Sequence, residues 1–314
     1  MREKARRKPN EQQSRANDSE ARSSSLVALA DKTDYYSAAI FEYGGITLPY
    51  RELDLNQDKE GKSILVIQLH GGSARGDDNE AQLAAAAVDS VENYLYEHGT
   101  KAIFLLPQCA ADRVWNENSN NYTITMTMVL DQWIQNFISN HPNADATRIY
   151  ITGYSAGGSG SWRMINDYQS RFAAACIAAA NPVMVTAGNV KNTPVYAIAG
   201  SADNIMNATR IENFINQIVA LGGEALFDLL EGKNHLETCD QAFTEARLDW
   251  LFSHRRNLTG DVDCDGTITA TDITAIYNYL LNGDTTFIDT SDVNGDGVIS
   301  ATDVTSIYNI LLGN

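Results

Sequence analysis

Between residues 40 and 255 the chain alternates short, continuously apolar, β-rich runs with longer stretches of helical periodicity, and this alternation restricts the fold more than any other feature. The runs are "SILVIQLH" (63–70), "KAIFLLP" (101–107), "RIYITGY" (148–154), "AAACIAAA" (173–180), "PVYAIAG" (194–200) and "EALFDLL" (224–230). Unbroken apolar character is what a strand covered on both faces requires, as in a parallel sheet. Between them lie "ITMTMVLDQWIQNFISN" (124–140) and "ATRIENFINQIVALGG" (208–223), the second closing on glycine as helices often do. Such a chain is expected to be α/β, a doubly wound and mostly parallel sheet with right-handed crossovers. Functional loops then gather at the carboxyl ends of the strands. "FEYGGITLPYRELDL" (41–55) reads as a hairpin at an antiparallel edge of that sheet.

The periodicity changes after "FSHRRNLTG", where a repeat of period 31 begins: "DVDCDGTITATDITAIYNYLL" from Asp261 and "DVNGDGVISATDVTSIYNILL" from Asp292. Two copies of one short unit make a separate small module. The expected organisation is a polar, disordered lead over 1–39, a large α/β domain over 40–256 and the repeat module over 257–314. Charge follows the same division. Residues 261–314 hold nine Asp and no Lys or Arg, whereas residues 1–22 hold seven basic residues against four acids.

A net charge of −17 opposes nucleic acid or an anionic membrane as main partner, because the summed field repels a polyanion. No apolar run has the length that crosses a bilayer. "LVALAD" (26–31) ends like a leader cleavage site, but its apolar stretch is too short for an h-region, so no export signal is legible. The cysteines Cys109, Cys176, Cys239 and Cys264 are expected to be mostly free thiols. A Cys109–Cys239 bridge is the alternative, since both lie near expected functional loops.

In "ITGYSAGG" (151–158), Ser155 follows a strand and precedes a helix, the context that makes Gly-x-Ser-x-Gly informative. Gly153 and Gly157 clear side chains from a sharp turn, which lifts the hydroxyl out of the sheet. A serine hydroxyl needs a base to take its proton and an acid to orient that base. Asp203 comes directly after the strand "VYAIAG", and His235 comes after "ALFDLL", so nucleophile, acid and histidine follow one another at strand ends. Asp228 and Asp240 are the fallback acids. The plain alternative for His235 is a surface-loop histidine. "LHGGS" (69–73) supplies glycines whose amides can approach a substrate closely, and the Gly72 amide is paired here with that of Ala156 as the oxyanion donors. Asp77, Asp78 and Asn79 either brace this loop or form a solvated acidic turn.

With "LHGGSARGDDNEAQL" (69–83), "LPQC" (106–109) followed by Trp115, "GYSAGGSGSW" (153–162), "GSADN" (200–204) and His235, the region 40–255 resembles bacterial α/β-hydrolases of an esterase and predicted-peptidase group. That group is related to the feruloyl and acetylxylan esterases of carbohydrate esterase family one. The resemblance implies a serine hydrolase with Ser155, Asp203 and His235 as its triad. It also implies acyl esters of plant cell-wall polysaccharide as substrates, with a serine peptidase of the same fold as the alternative.

Each acidic repeat spaces oxygen donors at alternate positions around a glycine turn, as a calcium loop does. The first offers Asp261, Asp263, Asp265, the Thr267 carbonyl, Thr269 and Asp272; the second offers Asp292, Asn294, Asp296, the Val298 carbonyl, Ser300 and Asp303. Two structural calcium ions are expected, and no cofactor for catalysis. Downstream, Ile273, Ile276, Tyr277, Leu280 and Leu281, and 31 residues on Val304, Ile307, Tyr308, Leu311 and Leu312, recur at helical spacing and are expected mostly in a small core. A paired loop-helix unit without the preceding helix of an EF-hand resembles a type I dockerin, the cellulosome module that docks onto a cohesin domain of a scaffoldin. That resemblance puts Ala270, Thr271, Ala301 and Thr302 at partner-recognition positions. Because both copies carry the same pair, it implies that either can face the cohesin. It also implies a secreted, extracellular protein, with a non-catalytic binding subunit as the reading from outside enzymology.

Overall fold

The computed structural model describes residues 32–169, 171–256, 259–263 and 268–313. Most of the polar lead, Cys264, and the expected calcium ligands Asp265 and Thr267 lie outside the described residues. Eight strands form one sheet: β1 (Ser37–Tyr43), β2 (Ile46–Leu55), β3 (Ser63–Leu69), β4 (Ala102–Pro107), β5 (Ala144–Tyr154), β6 (Ala174–Ala178), β7 (Val195–Gly200) and β8 (Ala225–Leu230), in the order β1-β2-β4-β3-β5-β6-β7-β8. β1 and β2 pair antiparallel, as do β2 and β4, and all other pairs are parallel. Gly44 and Gly45 turn the β1–β2 hairpin with φ of 60° and 79°, the left-handed pair that a two-residue hairpin turn needs.

The described residues 32–39, inside the expected lead, already carry contacts and the start of β1. Tyr36 is only 2% exposed and donates its hydroxyl to Glu92 at 2.9 Å, while Arg51 donates to its carbonyl at 3.0 Å. These contacts anchor the chain just ahead of β1.

Every residue of β3, β4 and β6 is buried, as their unbroken apolar runs demand. Alternate side chains feed two cores. Leu65, Ile67 and Leu69 join Trp133 of α2 (Met126–Asn140), Trp162 of α3 (Ala156–Asp167) and Phe214 of α5 (Ala208–Ala220); the short α4 (Ala187–Val190) lies on this side too. Ile64, Val66 and Phe104 instead meet Val91 and Leu95 of α1 (Ala86–Glu97) and Leu248 and Leu251 of α7 (Glu245–Phe252). A one-turn helix, α6 (His235–Asp240), follows β8.

β5 starts earlier than its apolar run, at Ala144, and its first residues hold the end of this domain. The Arg256 amide donates to the Thr147 carbonyl at 2.8 Å. Arg255 donates to Thr147 Oγ1 at 2.7 Å and to Asp145 Oδ2 at 3.2 Å, and the Tyr150 hydroxyl donates to the His254 carbonyl at 2.6 Å.

The repeat folds as two loop-helix units carrying α8 (Ala270–Asn282) and α9 (Ala301–Leu312). Each helix opens on a capping box, Thr269 with Asp272 and Ser300 with Asp303, and each ends on a left-handed glycine, Gly283 and Gly313. Their shared core pairs residues one repeat apart: Val262 with Val293, Ile273 with Val304, and Ile276 with Ile307. The rest of each apolar stripe does not join it. Tyr277, Leu280, Leu281, Tyr308, Leu311 and Leu312 are exposed, because two short helices bury only the faces turned toward each other. Among the described residues no helix is long and apolar enough to cross a membrane.

Candidate active site

β5 ends at Tyr154 and α3 begins at Ala156, so Ser155 alone makes the turn, with φ 53° and ψ −120°. A residue with a side chain holds such angles only where its surroundings impose them. Here the Ser155 amide donates to the Ala178 carbonyl at 3.0 Å, and the Ser155 carbonyl accepts from the Ser159 amide at 3.0 Å. A Cβ on Gly157 would overlap the Leu69 carbonyl, and one on Gly153 would lie 2.6 Å from the Gly157 oxygen. Both glycines are therefore required by backbone packing.

His235 Nε2 lies 2.8 Å from Ser155 Oγ, and His235 Nδ1 lies 2.8 Å from Asp203 Oδ2. The other Asp203 oxygen accepts from the amides of Ile205 at 2.8 Å and Met206 at 2.9 Å. The Asp203 side chain is 1% exposed and that of His235 17%, so solvent reaches the ring but not the carboxylate. An ionised Asp203 only accepts, which keeps the proton on Nδ1 and turns the Nε2 lone pair toward the hydroxyl.

The loops bearing acid and histidine are joined by backbone bonds. The Ser201 amide donates to the Leu230 carbonyl at 3.0 Å and the Ala202 amide to the Lys233 carbonyl at 3.0 Å. Gly200 permits this approach, since a Cβ there would overlap the Lys233 carbonyl and the Thr238 hydroxyl. His235 itself is the first residue of α6, fixed by a capping box between Asn234 and Glu237. Neither fallback acid meets His235 in a described bond: Asp228 pairs with Arg247 at 2.8 Å and accepts from Tyr196, and burial pushes the Asp240 carboxyl up.

Gly72 follows β3 and faces the start of α3, where a Cβ on it would sit 3.9 Å from the Ala156 Cβ. The two residues paired as oxyanion donors are thus neighbours. The loop around Gly72 is braced by groups whose roles were not legible in the sequence. Buried His70 donates from Nδ1 to the Gly71 carbonyl at 2.7 Å and accepts at Nε2 from the Cys109 amide at 2.9 Å. Burial pushes its imidazole down to about 4, so the ring stays neutral. Trp115 donates its indole N–H to the His70 carbonyl at 3.1 Å. Fully buried Gln108 donates to Asp78 Oδ1 at 2.6 Å and to the Ala74 carbonyl at 3.1 Å, and accepts from the Asn79 amide at 2.7 Å. The amides of Glu80 and Ala81, with Gln108, hold the Asp78 carboxyl below the usual carboxylate range.

Of the two readings of the acidic turn, bracing fits Asp78 and Asn79. "LPQC" and the following Trp115 were the visible signal, without a role attached. Cys109, Cys176 and Cys239 are buried free thiols. The Cys109–Cys239 bridge is thereby corrected: Cys109 is packed in a core of the sheet, Cys239 is buried in α6, and both thiols are free.

In the first acidic loop, Asp261, Asp263 and Asp272 each bring a carboxylate oxygen within 4.8 Å of the others, a hard-oxygen set that fits calcium. In the second, Asp303 accepts from the amides of Val293 at 2.9 Å, Asn294 at 3.1 Å and Ser300 at 2.8 Å. Asp292 accepts from Asp296 and Gly297 amides, and Asn294 from that of Asp296. Val298 is exposed and Ser300 caps α9. Thr269 caps α8 in the same way. Ala270, Thr271, Ala301 and Thr302 all lie exposed in the first turns of the two helices.

Residues 106–247 match the model of the dienelactone hydrolase family, and residues 259–312 match that of the dockerin type I domain. Among solved structures the chain is similar to a thermostable esterase, at 23% identity and a TM-score of 0.62, covering 71% of this chain and 64% of that one. This chain therefore spans less than two thirds of that protein's length. It is also similar to a ferulic acid esterase, at 14% identity and a TM-score of 0.53, covering 69% of this chain and 97% of that one. A third likeness is to S-formylglutathione hydrolase from Staphylococcus aureus, at 16% identity and a TM-score of 0.51, with 69% and 98% covered. At such identities these likenesses carry the fold alone. No curated protein gives a significant match to the sequence.

Proposed function

From a chain that joins an α/β-hydrolase domain to a C-terminal type I dockerin, we propose a cellulosomal serine esterase that removes feruloyl or acetyl groups from plant cell-wall polysaccharide. The observation that carries this reading is the unbroken relay from Ser155 Oγ through His235 to Asp203, with both links at 2.8 Å. Ser155 Oγ attacks the ester carbonyl as His235 Nε2 takes its proton. Asp203 stabilises the imidazolium, and the Gly72 and Ala156 amides donate to the oxyanion. The tetrahedral adduct collapses as His235 returns the proton to the departing sugar hydroxyl. Water then attacks the acyl-enzyme with His235 again as base, releasing the carboxylic acid and restoring Ser155.

The C-terminal unit supplies location rather than chemistry. Calcium would be held by the Asp261, Asp263 and Asp272 set and its counterpart from Asp292 to Asp303; when bound it neutralises the clustered carboxylates and orders the loops. A cohesin domain is the proposed partner, met through Ala270, Thr271, Ala301 and Thr302, which makes the protein extracellular.

The test is hydrolysis of methyl ferulate, acetylated xylan and a peptide panel by wild type and by Ser155→Ala. Ester turnover reduced at least about a thousandfold in the variant is expected. Turnover of peptides alone would make the protein a peptidase, and no turnover of any substrate would leave a binding subunit.

A further inference from the structure

A cleft of about 840 Å³ opens beside the catalytic loops, between α5 and the segment that follows β6. One wall is a single stripe of α5, Arg210, Asn213, Phe214 and Gln217, spaced three and four residues apart so that they share a helix face. The opposite wall holds Pro182 and Val185. Asn207, which caps α5, and Thr209 also border a second cleft of about 420 Å³ that reaches Asp203 and Gly200. Sharing these two residues, the clefts adjoin, and the second reaches the loop that carries Asp203.

The walls are held from behind. The Asn207 amide donates to Asn181 Oδ1 at 3.0 Å. From α3, Trp162 donates to the Ala180 carbonyl at 3.0 Å, Arg163 to the Met184 carbonyl at 3.1 Å, and Asn166 accepts from the Thr186 amide at 2.9 Å. These bonds fix a segment in which Ala179 and Met184 hold positive φ, 47° and 57°, at a cost in backbone energy.

The lining has one chemical character. Amides and hydroxyls from Asn207, Thr209, Asn213 and Gln217 suit the hydroxyls of a sugar, and Phe214 offers an apolar face. Among the described residues, Arg210 is its one charged residue and no carboxylate lines it. Arg210 is exposed and, among the described residues, forms no ion pair. Glu212 lies two positions on along α5 and so projects away from this stripe. The summed field of a chain of net charge −17 repels anions, and a cleft lined by no carboxylate and by a guanidinium outside any described ion pair is where that repulsion is locally offset.

We propose that this cleft is a carbohydrate subsite that takes a uronate, a sugar carrying a carboxylate, with Arg210 as the anion-recognising residue. It rests on the reading of the protein as a polysaccharide esterase. The substrate is then an acylated polysaccharide with acidic sugar units close to the acyl group, rather than a neutral one.

Calorimetric titration of full-length Ser155→Ala with a xylo-oligosaccharide carrying one glucuronate, and with the same oligosaccharide lacking it, tests this directly. The expected result is binding of the acidic ligand about tenfold tighter at low salt. That preference should vanish when Arg210→Gln is added and return in part with Arg210→Lys. Equal affinities, no binding of either ligand, or a preference that survives Arg210→Gln would each overturn the subsite. Hydrolysis of 4-nitrophenyl acetate by the wild type reports separately on the esterase reading. Its absence beside an Arg210-dependent preference would remove the enzyme while keeping the site.

Discussion

Ser155 occupies angles that its own side chain disfavours, and its strain is held by a bond to Ala178 and by glycines on either side. Asp203→Asn keeps the shape of the neighbouring group but can donate to Nδ1, which presents the wrong tautomer to Ser155. Ester turnover is expected to fall by roughly a thousandfold or more with the fold intact by circular dichroism. His70 makes the pH prediction. Folded, it titrates near 4, and unfolded near 6.5, so between these values the unfolded chain binds a proton that the folded chain refuses. Stability is complete above pH about 6.5 and is lost as pH falls toward 4, by about 3 kcal/mol in all. Urea unfolding of wild type and His70→Gln from pH 7 to pH 4 should show a shallower slope in the variant; identical slopes would refute it. The relay residues could be named from sequence because each follows an apolar strand run and the chemistry needs them in order. His70 and Gln108 could not, since their roles come from contacts across the sheet that no local pattern encodes.

At the scale of elements, strand positions were legible wherever burial on both faces wrote an unbroken apolar run, as in β3 and β4. The start of β5 was not, because Asp145 and Thr147 are polar and are buried through hydrogen bonds to each other and to Arg255. The exposed half of α8 and α9 was misassigned for the opposite reason: apolar spacing marks a helix without saying which face is covered. The strand-to-helix turn supplies a direct test. Gly157→Ala should cost roughly 3 kcal/mol or more, since the clash is with backbone. Gly188→Ala, in α4 with open space around its Cβ, should be neutral or stabilising by about 0.5–1 kcal/mol. Thermal unfolding of both variants decides whether the elbow or glycine loss in general is responsible. Asn234→Ala removes the cap that seats His235 and should cost about 1 kcal/mol, with ester turnover lowered more than substrate binding.

For the whole molecule, the paired cores of the sheet and the far smaller core of the repeat imply two independent stabilities. The C-terminal unit has a small apolar core and buries Asp272 and Asp303 beside further acids, so it is expected to depend on bound cation far more than the sheet does. Chelation with EDTA is expected to abolish a separate unfolding transition of that unit in calorimetry while hydrolysis of 4-nitrophenyl acetate is unchanged. A proportional loss of both would mean that the units unfold together. The bonds from Arg255, Arg256 and Tyr150 fasten the last residues of the large domain to the beginning of β5, whereas Ser155 stands just past its end. The chain therefore leaves the large domain at the rear of the sheet, roughly 25 Å of strand behind Ser155. Under the proposed function, whatever grips the C-terminal unit would pull from behind and leave the Ser155 end of the sheet facing outward, open to a surface too large to enter any pocket.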